Sequence, residues 1–101
     1  MTMLGIDVRS SRGEKIRSIP AHPKFDPVLA GIDRVEYPIL GHLDPYGATV
    51  LNGLQVATLV DEISRLQSDS AIFPRGFSDE LIALCQVCLA RPHRFLWFIG
   101  E

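Results

Sequence analysis

The chain has 101 residues, a hydrophobic fraction of 47% and a formal net charge of −2. That length suits one domain, residues 1–101, and is too short for two with proper cores. The apolar content is that of a globular protein able to fold without a metal or disulfide framework. No apolar run approaches the ~20 residues that cross a bilayer. The start lacks the basic head and long apolar stretch of a signal peptide, and two cysteines make no disulfide scaffold, so the expected location is cytoplasmic.

The charge is unevenly spread. Residues 1–25 carry Arg9, Arg12, Lys15, Arg17 and Lys24 against Asp7 and Glu14, a net of +3, which leaves −5 for the remainder. An acidic body argues against general nucleic-acid binding, which needs a basic face.

Leu4, Ile6 and Val8 alternate with Gly5, Asp7 and Arg9, the period of a strand with one buried face. Ser10-Ser11-Arg12-Gly13 supplies turn chemistry, and 14–19 reads as the return strand, so 3–19 is expected to be a β-hairpin. Asp26-Pro27 resembles a helix start, and Val28, Leu29, Ile32 and Val35 keep helical spacing. Gly31 weakens that pattern, leaving a short helix or an irregular turn near 27–34. Residues 37–47 read as loop, with a turn at Asp44-Pro45-Tyr46-Gly47.

The best helix is expected over 53–67. Asn52 and Gln55 form a capping-box pair, and Val56, Leu59, Val60 and Ile63 form the apolar stripe. Asp61 and Arg65 stand at i, i+4 on the outside. A second helix is expected over 79–91, capped by Ser78, with Asp79 and Glu80 at its positive end and Pro92 ending it. Phe95–Ile99 is apolar on both faces and reads as a last strand, central in the sheet or covered by a partner. Together these predict an α+β domain: a small antiparallel sheet, from the hairpin and the last strand, with two main helices on one face.

Three groups of residues are candidates for chemistry. Cys85-Gln-Val-Cys88 has the CxxC spacing of redox and zinc sites. A redox pair needs its first cysteine at a helix N-terminus, and zinc needs four ligands. Here both lie mid-helix on the apolar face with Leu81 and Leu84, and only His93 is close in sequence. Packing is the expected role, with no metal and no cofactor.

The second group, His42, Asp44, Tyr46, Thr49 and Asn52, concentrates polar side chains in one loop. A His–Asp pair can do acid–base work. No nucleophile motif or phosphate loop accompanies it, so no enzymatic activity is expected. The third group is the outer edge of the first helix, where Asp61, Glu62 and Arg65, with Tyr46 nearby in the chain, are expected to face solvent as a partner-binding surface.

Tyr37-Pro-Ile-Leu-Gly41, Leu43-Asp-Pro-Tyr-Gly-Ala-Thr49, Asn52 and Gln55 resemble a pattern of short uncharacterised bacterial proteins, PxLG…DPYGxT…Q, which also end in a short apolar strand. Their size and acidic body are similar to those of immunity proteins of toxin systems. The function expected is binding of another protein, in its sharper form an immunity or antitoxin-like inhibitor that offers an acidic surface to a basic toxin. The alternatives are a small enzyme or ligand-binding domain around His42, Asp44 and Tyr46, and a homo-oligomeric structural protein, such as a homodimer, joined through the terminal strand.

Overall fold

The computed structural model describes residues 3–100. Its elements in chain order are strand β1 (Leu4–Ser10), strand β2 (Lys15–Ile19), a single 3-10 turn (Leu40–His42), strand β3 (Ala48–Leu51), helix α1 (Gly53–Leu66), helix α2 (Phe77–Leu89) and strand β4 (Arg94–Gly100). The strands form one antiparallel sheet in the order β2-β1-β4-β3. The α+β architecture expected from the sequence is therefore the one observed.

The period-two pattern of β1 sets the layers. Leu4, Ile6 and Val8 are buried, as are Leu96 and Phe98 on β4, and the register places Ile6 opposite Phe98 and Val8 opposite Leu96. This face is covered by Val56, Leu59 and Ile63 of α1 and by Leu81, Leu84, Cys85 and Cys88 of α2. β4 lies between β1 and β3 and pairs with both. Its backbone is thus used up on both sides, so a homo-oligomer cannot be joined by pairing along this strand.

The cap of α1 is the one its sequence specifies. The Asn52 side chain accepts from the Gln55 amide at 3.0 Å, and the Gln55 side chain accepts from the Asn52 amide at 2.9 Å. The start of α2 differs from expectation. Gly76, at φ 80°, is the residue before the helix, in a left-handed conformation that favours glycine. The Phe77 amide bonds to the Pro74 carbonyl at 2.9 Å, and the helix begins two residues early. Ser78 is consequently inside the first turn and buried rather than capping it.

Residues 27–34 form turns and no helix. Asp26 does cap locally, its Oδ1 accepting from the Leu29 amide at 3.3 Å. Gly31 then turns to φ 81° and the chain leaves the helical path. Strand β3 has no counterpart in the sequence reading: four residues between a turn and a helix cap are too short to display a period.

Cys85 and Cys88 are free thiols buried beneath the sheet. Burial, with Cys88 beside it, pushes the Cys85 thiol up to about 12, and burial raises Cys88 as well. A neutral thiol is a poor nucleophile. Alkylation with iodoacetamide at neutral pH is expected to be blocked in the folded protein and complete in denaturant; rapid native labelling of Cys85 would contradict this placement. The raised pKa also has a stability consequence. The unfolded chain ionises Cys85 near 9.0 while the folded chain does not. This contribution is fully present below pH 9 and is lost as pH rises from there towards 12. Melting temperature should fall across that window, and less so in Cys85→Ala once its own lower starting stability is subtracted.

Candidate functional site

The helix edge expected to bind a partner is not the surface the sequence implied. Asp61 and Arg65 are exposed and joined at 3.1 Å along the helix. Arg65 also lies over the Tyr37 ring at 4.8 Å and within 4.0 Å of Glu36. Glu62, however, is 0% exposed. Its Oε2 accepts from the Ile39 amide at 3.0 Å and its Oε1 from the Leu40 amide at 2.9 Å. It points inward because the chain over 37–43 wraps the flank of α1 and needs acceptors for two amides at the start of the 3-10 turn. Glu62 therefore offers no charge to a partner, and Asp61 offers one that is already paired. Tyr46, 68% exposed on the turn before β3, makes no hydrogen bond or ring contact with Asp61, Glu62 or Arg65.

The loop constellation is likewise occupied. His42 Nδ1 lies 2.8 Å from the Pro38 carbonyl. Asp44 Oδ1 accepts from the Tyr46 amide at 2.9 Å, and Thr49 Oγ1 accepts from the Asp44 amide at 2.9 Å. These side chains fold the turn and the entry to β3; His42 and Asp44 do not meet as an acid–base pair. Gly41 belongs to the same frame. A β-carbon there would lie 2.8 Å from Arg34 Cα, and the Arg34 Nε donates to the Gly41 carbonyl at 2.8 Å. A shallow, open depression of about 490 Å³ lies elsewhere, between the end of α1 and the start of α2, against Gln67, Ser70, Arg75 and Ser78. Among the described residues no three His, Cys, Asp or Glu side chains gather as a metal site, and no helix is long and apolar enough to cross a membrane.

The surface that stands out is the other face of the sheet. Alternation puts Gly5, Asp7 and Arg9 of β1, Phe95, Trp97 and Ile99 of β4, and Ala48 and Val50 of β3 on the side away from both helices. Phe95, Trp97 and Ile99 are half-buried, and Val50 is 42% exposed. Asp7 stands directly opposite Trp97 in the ladder. The Arg9 guanidinium bonds Asp7 Oδ2 at 2.9 and 3.3 Å and lies over the Trp97 ring at 4.7 Å. Lys15 approaches the other Asp7 oxygen at 3.9 Å.

Asp7 is buried beneath these groups, so the carboxylate serves as an internal anchor and the cations form the outer layer. Arg9 is held from two sides, which reduces the conformational entropy a binding partner must remove. Arg12 and Lys15 extend the positive charge along the hairpin. The sequence marks Phe95–Ile99 as apolar on both faces, central in the sheet or covered by a partner, but does not say which face lacks a helix. The signal was the second half of the alternation in β4: Phe95, Trp97 and Ile99 are as apolar as the buried half and have no helix to cover them. No protein-family profile, no curated protein and no solved structure matches this chain.

Proposed function

We propose that this protein is a protein-binding module whose contact surface is the helix-free face of the sheet, and that its partner presents an acidic, partly apolar patch. The reading rests on one observation: Trp97, half-buried on an uncovered sheet, with Arg9 fixed over its ring. Tryptophan and arginine are the residue types most enriched among interface hot spots, and uncovered apolar patches on small proteins commonly mark contact sites. On this hairpin Arg9, Arg12 and Lys15 outnumber Asp7 and Glu14, and that excess of positive charge sets the sign of the partner. A nucleic acid fits less well. One face of the Trp97 ring is already covered by Arg9, and single strands are held by stacking on open rings.

The test uses a photo-crosslinking residue at position 95 to trap the partner in cells of the source organism, followed by binding of the purified partner to variants. Trp97→Ala should weaken binding about tenfold or more. Lys15→Glu should slow association, with the deficit shrinking as salt rises. Asp61→Lys, on the helix edge, should change neither. Binding abolished by Asp61→Lys and untouched by Trp97→Ala would overturn the proposal, as would a crosslinked species that nuclease removes.

A further inference from the structure

The two edges of the sheet are not alike. β2 is guarded: its sequence is Lys-Ile-Arg-Ser-Ile, and its pairing with β1 is interrupted by an irregularity at Val8/Arg9. Charges and bulges of this kind keep an edge from pairing with another strand. β3 has neither. Ala48-Thr49-Val50-Leu51 carries no charge, no proline and no bulge in its pairing with β4.

The register fixes which backbone groups β3 leaves free. The Gly100 amide bonds to the Gly47 carbonyl at 2.8 Å, so the Gly47–Gly100 pair is hydrogen-bonded. In an antiparallel ladder such pairs alternate with non-bonded ones. Thr49 and Leu51, opposite Phe98 and Leu96, therefore turn their amides and carbonyls towards β4. Ala48 and Val50 turn theirs outward. Both residues are exposed, and among the described residues nothing bonds those outward groups. The next amide along, that of Asn52, is taken by the Gln55 side chain.

We propose that the β3 edge is the seam of a homodimer, in which β3 pairs antiparallel with β3 of a second copy about a two-fold axis at Thr49. A second copy fits the count of groups, and the uncharged β3 edge has nothing that repels its own copy. With Thr49 opposite its own counterpart, Ala48 of each chain faces Val50 of the other. Both residues point outward, so every free amide meets a free carbonyl and none is left over. A register centred on Val50 would instead bring Ala48 against Asn52, whose amide is already used. The same two-fold places apolar Ala48 beside apolar Val50 on the open face. It adds no like-charged pair within the seam, because β3 has no charges. Being perpendicular to the sheet, the axis keeps all four helices on one side and gives an eight-stranded sheet, β2-β1-β4-β3-β3-β4-β1-β2. The two open faces become continuous on the other side.

The experiment is sedimentation velocity of the full chain over a wide concentration range, with three variants. Val50→Pro deletes an outward amide that takes no part in the ladder with β4, and proline is tolerated at such an edge position. The wild type should sediment as a dimer at high micromolar concentration. Val50→Pro and Val50→Lys should both keep the far-ultraviolet circular dichroism of the wild type and dimerise about tenfold more weakly or worse. Trp97→Ala should still dimerise. Hydrogen exchange on the wild type supplies a readout that needs no variant: protection at Ala48 and Val50 should rise with protein concentration. A wild type that stays monomeric at every concentration overturns the inference. So does a dimer that survives both Val50 variants, or one lost with Trp97→Ala alone, which would place the contact on the open face.

Discussion

Replacing Glu62 with alanine is expected to cost about 3–5 kcal/mol, a large share of the stability of a domain this size. The reason is not a lost ion pair. Among the described residues no cation lies within salt-bridge distance of Glu62; its partners are the amides of Ile39 and Leu40. Leu40 is fully buried and the segment around it is closed over the flank of α1, so water cannot replace the carboxylate without opening that segment. Two stranded amides, each costing about 1–3 kcal/mol, make up most of the effect. Glu62→Gln keeps one acceptor but turns an amide donor towards the other backbone amide, and should cost about 1–3 kcal/mol. Asp61 is the control. It is the neighbouring acid on the same helix and has a visible ion pair with Arg65, yet it is 69% exposed at the side chain. Asp61→Ala should change stability by no more than about 0.5 kcal/mol. Urea unfolding of the three variants, with unchanged slopes, measures this; equal costs for Asp61→Ala and Glu62→Ala would refute the assignment.

Phe25→Ala should be the other severe substitution, at about 3–5 kcal/mol. Phe25 sits in a stretch with neither helix nor strand, where substitutions are usually mild. It is nonetheless 0% exposed. Its ring stacks on Phe73 with centroids 5.5 Å apart and tilts against Phe77 at 4.8 Å. His22 meets the Phe77 ring edge-on at 5.7 Å. These rings tie the crossing from β2 to the junction of the two helices, so their loss leaves both a cavity and an untethered segment. Leu29, in the same stretch but 58% exposed, is the comparison. Its alanine variant should stay within about 0.5 kcal/mol. Faster hydrogen exchange across 22–32 in Phe25→Ala, with β1 and β4 unchanged, would locate the damage; a loss below about 1 kcal/mol would mean the cluster is not a tether.

How much of this could be read from the residues depends on the range of the interaction. The hairpin, the capping box of α1 and the apolar final strand depend on neighbours a few positions away, and each stood out in the sequence. The start of α2 did not, because a glycine with positive φ competes with a nearby serine and only the backbone path decides between them. Glu62 failed for a different reason. It lies between Leu59 and Ile63 and one turn before Leu66, all buried, so it stands on the inner flank of the helix. An acidic residue in that position normally means solvent. The amides that reverse the rule come from residues 39 and 40, brought over by a loop whose course has no periodic pattern. The open sheet face was half legible. Two apolar faces on β4 were evident, but which one lacks a cover is a property of the assembled layers.

The position of β4 between β1 and β3 has a consequence for how the molecule is made. Leu4 pairs with Gly100, nearly the whole chain away, and no strand other than β4 joins β1 to β3. The hairpin and the helix pair can form early from local contacts, but the sheet cannot close until the last strand arrives. Pairings that span the chain are slow to form, since the loop must be closed before any contact rewards it. Until then β1 and β3 each present a bare inner edge, and the apolar strand that should fill the gap is itself exposed. Folding is thus a race between insertion of 94–100 and capture of those edges by other chains. Refolding yield should fall with concentration more steeply than native stability alone would suggest.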